Sequence, residues 1–223
     1  MADLTLCIGN KNYSSWSLRP WLALKQAGAA FEEVVIPLRR PETAALLRRH
    51  SPTQRVPALR HRGAVIWESL AICEYVAELF PAARLWPEDR EARAVARAAA
   101  TEMHGGFADL RRLMPMDIRS RRPLGTRLDG ARKDVDRVHQ LWRECRQRFG
   151  ARGASGAGPF LFGGFTVADA MYAPVTRRFV TYGVPLDEIC GAYVEAVTAL
   201  PAMAEWIAAA RTEPWTIDDD DRK

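Results

Sequence analysis

Over roughly the first third of the chain the spacing of apolar residues changes period repeatedly, which is the pattern of alternating strands and helices. Leu4–Ile8 is a compact apolar run of strand length. Residues 16–27 place Leu18, Trp21, Leu22, Lys25 and Gln26 at helical spacing and end at Gly28, a residue suited to the turn that closes a helix. Residues 31–36 are rich in β-branched side chains and stop at Pro37, which predicts a second strand. A short helix over 41–50 follows. Residues 56–59 and Ala64–Trp67 read as two brief strands around an Arg62-Gly63 hairpin turn, and Ser69–Leu79 returns to helical spacing. The predicted order is βαβαββα.

Past the Phe80-Pro81 break and the Trp86-Pro87 stretch the strand signal stops, and long segments rich in Ala, Arg, Glu and Leu take over. Helices are expected over 88–114, 130–149, 167–182, 187–200 and 201–211. The chain therefore divides into an α/β domain (1–80), a linker (81–87) and an all-helical domain (88–223). The loop at 150–164 is small and flexible in composition, whereas 116–125 carries Arg119, Arg121 and Arg122 and is placed to border a site. The acidic run 218–221 is expected in solvent.

Composition narrows the class. With 223 residues, 48% hydrophobic and 26% charged, the chain can bury a substantial core, which excludes disordered, collagenous and fibrous classes. Charge interrupts every apolar stretch well short of a membrane span, and the start carries Asp3 with no signal-peptide pattern, so a cytoplasmic protein without membrane association is expected. Cys7, Cys73, Cys145 and Cys190 form no CxxC pair, which argues for buried free thiols and against a disulfide framework or a metal site. A net charge of +5 suits anionic ligands. It is modest for a nucleic-acid binder, and the arginines between 111 and 122 come without a recognised binding motif, so no nucleic-acid partner is expected.

Three short stretches carry candidate chemistry. Residues 12–19 put Ser14 and Ser15 at the start of the first helix, where a hydroxyl either caps the helix, worth about 1 kcal/mol, or joins the positive helix end in binding an anion such as a thiolate. Lowering a thiol pKa of about 8.5 by about two units requires about 2.7 kcal/mol. Val56-Pro57 begins a predicted strand; a cis bond there turns the Val56 main chain toward an extended peptide, and a trans bond is an ordinary strand start. Glu68-Ser69 opens a helix, and the pair can read an ammonium and a carboxylate of one ligand.

These motifs, in this order and ahead of an all-helical second half, resemble the cytosolic glutathione transferases over essentially the whole chain. The serine-dependent classes fit best, and Ser14-Ser15-Trp16-Ser17-Leu18-Arg19 is most similar to the zeta class, which includes maleylacetoacetate isomerases. Trp16 stands where that class has the cysteine of its Ser-Ser-Cys signature, and Arg55 replaces its usual glutamine. The resemblance implies a thioredoxin-like first domain and a homodimer. It also implies a thiol activated by Ser14, with Ser15, Arg55, Val56, cis Pro57, Glu68 and Ser69 as the glutathione contacts. Glutathione and a small electrophile would be the substrates; the alternatives are cis–trans isomerisation, or a binding protein that keeps the fold.

In the second half, Thr166 and Asp169 have capping-box spacing at the start of the helix expected over 167–182, a structural feature. Met103, Phe107, Arg111 and Met114 are expected to line the second-substrate pocket. His104, between them, reads as structural. Arginines of this region turned inward would favour a carboxylate-bearing electrophile, and the methionines and Phe107 an apolar one.

Overall fold

The computed structural model describes residues 3–150 and 157–218. Its first half holds β1 (Leu4–Ile8), α1 (Ser15–Gln26), β2 (Glu32–Val35), α2 (Thr43–His50), β3 (Ala58–His61), β4 (Ala64–Trp67) and α3 (Ser69–Leu79). The strands form one sheet in the order β2-β1-β3-β4, with β1 and β2 parallel and the other pairs antiparallel. Leu6, Cys7 and Ile8 are wholly buried, because β1 is internal and covered on both faces, which is why it is a continuous apolar run. Trp21, Leu22 and Leu18 of α1 are buried in the principal core with Ile72 and Val76 of α3.

After a single 3₁₀ turn (Pro81–Ala83) the rest is helical: α4 (Arg90–Gly105), α5 (Ala108–Leu113), α6 (Arg127–Cys145), α7 (Val167–Tyr182), α8 (Glu188–Thr198) and α9 (Pro201–Thr212). The single helix expected over 88–114 is two. The chain turns at Gly106 and Phe107, the latter in the left-handed region at φ 59°, and a side chain at Gly106 would press within 2.7 Å of the Glu102 carbonyl oxygen. The helix expected over 130–149 begins earlier, at Arg127, and finishes in a π-helical turn at Arg146–Gly150.

Helix α7 runs through the middle of the molecule with fifteen of its sixteen residues buried. Its start is fixed by Asp169, which accepts hydrogen bonds from Thr166 N (2.8 Å), Thr166 Oγ1 (3.0 Å) and Leu161 N (3.1 Å). Burial nevertheless pushes the Asp169 carboxyl up to about 6, against the pull of those bonds. All four cysteines are buried and unpaired. Part of the 150–164 loop and most of the 218–221 run lie outside the described residues, and Asp218 is exposed. Among the described residues no helix is long and apolar enough to cross a membrane.

Candidate active site

Two cavities open around the start of α1, and Trp16 is a wall of both. The first, about 200 Å³, is bordered by Thr53, Arg55, Val56, Pro57 and Glu68. The Val56-Pro57 bond is cis. The β3 ladder begins one residue later, at Ala58, so the Val56 N–H and C=O stand outside the sheet's pairing. Glu68 ends β4 with φ 67°, a conformation that costs a non-glycine residue about 1–3 kcal/mol and is retained where the surroundings enforce it. Ser69 follows at the start of α3, fully buried, with an Oγ that has no partner among the described residues. A buried hydroxyl left in this state is a donor in want of an acceptor.

His104 of α4 meets two residues of the first cavity's border. Its Nε2 lies 3.6 Å from the Glu68 carboxylate and its ring meets Trp16 edge-on at 5.4 Å between centroids. Burial, then Arg19, hold the His104 imidazole below its ordinary value, with Glu68 opposing them. Burial and the nearby guanidinium thus favour the neutral imidazole.

The second cavity is larger, about 370 Å³, and is bordered by Tyr13, Ser15, Leu38, Arg39, Arg111, Pro115, Met116, Arg178 and Ile217. Ser14 caps α1. Its Oγ accepts from Ser17 N (3.3 Å), and its hydroxyl donates to Ser17 Oγ (2.7 Å), which also accepts from Gly9 N (3.0 Å). Ser15, one residue on, turns toward the cavity and accepts from Arg178 Nη2 at 3.0 Å. Arg178 also donates to the Met114 carbonyl (2.9 Å), while its Nε is buried without a partner. Arg19 is fully buried, and among the described residues none of its three guanidinium nitrogens has a hydrogen-bond partner; it lies over the Trp16 ring at 4.3 Å, and Arg111 lies 5.3 Å from the same ring.

One wall of this cavity comes from beyond α9. Glu213 accepts from the main-chain N–H groups of Lys11 (2.6 Å) and Asn12 (3.0 Å), and Arg119 donates to the carbonyls of Glu213 (2.9 Å) and Trp215 (2.7 Å). Those bonds anchor the segment whose Ile217 reaches the cavity's edge.

The residues expected for glutathione fall into place unevenly. Arg55, Val56, Pro57 and Glu68 border one cavity, with Ser69 beside Glu68 at the opening of α3. Ser15 and Arg111 border the other, and Ser14 sits at the cap between Tyr13 and Ser15. Met103, Phe107 and Met114 are not among the residues bordering the second cavity; all three are buried in the core. Met116 supplies the apolar contact in their place. Sequence reasoning missed Arg178, Met116 and Ile217. The available signal for Arg178 was two adjacent arginines inside an otherwise apolar helix, which must be either buried or exposed together with their apolar neighbours.

The family pattern described as "Glutathione S-transferase, N-terminal domain" matches residues 13–79, and "Glutathione S-transferase, C-terminal domain" matches 93–209. The chain belongs to the glutathione S-transferase family. It is 34% identical over 111 residues to a probable maleylacetoacetate isomerase of Caenorhabditis elegans, covering 50% of this chain and 51% of that protein. It thus spans about half the length of that curated relative. Among solved structures, a glutathione transferase homolog from Burkholderia with bound glutathione is similar at 27% identity and TM-score 0.66, covering 93% of this chain and 97% of that one. The fold is also shared with a theta class glutathione S-transferase from Xanthomonas axonopodis pv. citri, at 22% identity and TM-score 0.71 over 95% of this chain and all (100%) of that one. The transferase fold accounts for the sheet order, the cis peptide and the helical second half together.

Proposed function

We propose that this chain binds glutathione in the cavity at Val56, Pro57 and Glu68 and activates its thiol at the start of α1 for attack on a small electrophile. The observation that carries the reading is a main chain free of its sheet (Val56) and a carboxylate (Glu68) on the border of one cavity, with the buried hydroxyl of Ser69 next to Glu68 in the chain and without a partner among the described residues. Val56 pairs its N–H and C=O with the cysteinyl residue, Glu68 holds the ammonium of the γ-glutamyl group, and Ser69 with the α3 N-terminus receives that group's carboxylate. Arg55, exposed at the rim, faces the remaining carboxylate.

Ser14 is the thiolate donor in this reading. Its Oγ keeps the Ser17 N–H as a cap while the hydroxyl proton swings from Ser17 Oγ to sulfur, and Ser17 Oγ retains the Gly9 N–H. The thiol proton leaves to solvent, and the sulfur forms a bond to carbon as the electrophile's leaving group departs. A second reading gives the donor's role to Ser15, favoured by its place on the larger cavity beside Arg178. The same thiolate serves cis–trans isomerisation, in which it adds to and leaves an alkene and glutathione is recovered.

The reading includes a homodimer, the division into 1–80 and 88–223, and no resident metal. Calorimetric titration with glutathione, joined to ultraviolet absorption of the bound thiolate across pH, tests the core of it. Saturable binding with thiolate formed below the free thiol's range supports it. Absence of binding turns the assignment to a binding protein that keeps the fold, and sedimentation tests the dimer.

A further inference from the structure

The connection from β1 to α1, which ends at Ser14, is built against the second half of the chain. Every main-chain polar group of Lys11 and Asn12 is bonded there. Their N–H groups donate to the two oxygens of the Glu213 carboxylate (2.6 and 3.0 Å), the Lys11 carbonyl accepts from Trp206 Nε1 (2.9 Å), and the Asn12 carbonyl accepts from Ile118 N (3.3 Å). The fully buried Asn12 side chain repeats the pattern: its Nδ2 donates to Asp117 Oδ1 and its Oδ1 accepts from Arg119 N, both at 2.9 Å. Arg119 Nη2 reaches the Tyr13 hydroxyl at 3.0 Å.

These bonds complete a tight turn. Asn10 O accepts from Tyr13 N (3.1 Å) and from Ser14 N (2.8 Å), folding the chain back just before the α1 cap. In a turn closed from its first to its fourth residue, the N–H groups of the two middle residues find no partner inside it. Here those residues are Lys11 and Asn12, 9% and 0% exposed, and one carboxylate takes both groups. The Lys11 ammonium is engaged elsewhere, with Glu33 at 2.6 Å, so what Glu213 grips at this turn is main chain. Burial pushes the Glu213 carboxyl up, against the pull of the Asn12 and Lys11 N–H groups and of Arg119. A carboxylate is thus held at a site that resists its charge.

Resting on the glutathione reading above, we infer that Glu213 is a positioning residue for the thiol step: through Lys11 and Asn12 it holds the 10–13 turn and so sets where the Ser14 hydroxyl stands against the sulfur. It touches no substrate and acts through the turn. Ser15 leaves the same turn one residue later, so the role is the same whichever serine is the donor. A misplacement of about 1 Å costs about 100-fold in rate, and the turn is what fixes this hydroxyl. The sign of the effect separates position from charge. Through space a nearby carboxylate opposes a thiolate, so neutralising Glu213 would by charge alone make the thiolate easier to form. A displaced donor makes it harder.

The test is the pH dependence of bound thiolate in the full chain, read by ultraviolet absorption at saturating glutathione, in Glu213→Gln and Glu213→Ala. The glutamine keeps one acceptor oxygen but turns an amide donor against the other N–H; the alanine removes both acceptors. Each variant that melting shows to be folded should raise the thiolate pKa by about one unit, a tenfold change in the ionisation equilibrium. With chlorodinitrobenzene as electrophile, kcat/KM should fall roughly tenfold at low pH and recover as pH rises through the raised value. Arg40→Ala releases the Thr216 carbonyl (3.2 Å) on the same segment without touching the turn, and should leave the profile where it was. A thiolate pKa unmoved or lowered in the folded variants, or a rate reduced by one factor at every pH, overturns the positioning role while the glutathione reading stands. A wild-type chain that binds no glutathione sinks that reading and this role together, before any variant is compared.

Discussion

Removing the Ser14 hydroxyl is the sharpest perturbation of the proposed chemistry, and glycine is the replacement that isolates it. A serine cap replaced by alanine costs about 1 kcal/mol of helix stability, whereas glycine costs only a few tenths, so Ser14→Gly removes the donor while α1 stays in place. The structure sets the size of the effect. The hydroxyl is fixed at 3.3 Å by the Ser17 N–H and is 7% exposed, so a thiolate there exchanges a poorly solvated hydrogen bond for nothing. A hydrogen bond to a charged group is worth about 1.5–3 kcal/mol, which is about 1–2 pKa units. If the wild-type site holds bound thiol about two units below 8.5, about three quarters is ionised at pH 7; raising it by about 1.5 units leaves about a tenth. Thiolate absorbance against pH should shift by that interval, and the limiting kcat/KM should follow the same titration. An apparent pKa unchanged within about 0.3 units, together with a shift of this size in Ser15→Ala, would refute the assignment to Ser14 and move the donor one residue on.

Other consequences are open to direct measurement. Asp169→Ala strands the Leu161 and Thr166 N–H groups and should cost about 3–5 kcal/mol in urea unfolding; a loss under about 1 kcal/mol would contradict the capping account. His139 is held below 6.5 chiefly by burial, so the unfolded chain takes up its proton first. Its share of stability is full above about pH 6.5 and is lost as pH falls through the depressed folded value, and His139→Gln should flatten that part of the stability–pH curve; an unchanged slope counts against it. Arg119→Ala frees the carbonyls of Glu213 and Trp215, and amide exchange in 213–217 should quicken roughly tenfold while α7 exchange is unaltered.

How far the sequence could be read depended on whether a residue's role was local. The β1 run, the hairpin at Arg62-Gly63 and the Thr166–Asp169 cap are decided by neighbours a few positions away, and all were legible. The break between α4 and α5 was not, because Gly105-Gly106 is compatible with a continuous helix and Phe107 adopts a left-handed φ that its side chain disfavours. Met103, Phe107 and Met114, expected on one continuous helix facing the cavity, are instead core residues. Arg178 and Ser15 are 163 positions apart, and Glu213 and Lys11 are 202 apart, so no spacing rule could have joined them. The proposed glutathione contacts were suggested only as a set, by the order of motifs and not by any one.

Trp16 borders both cavities, carries a guanidinium over its ring and touches His104, which itself faces Glu68. A ligand in either cavity would meet the same indole. If the first to bind shifts that ring in favour of the second, the same factor must appear whichever arrives first. Any coupling of the two cavities through this tryptophan is therefore bound to be reciprocal.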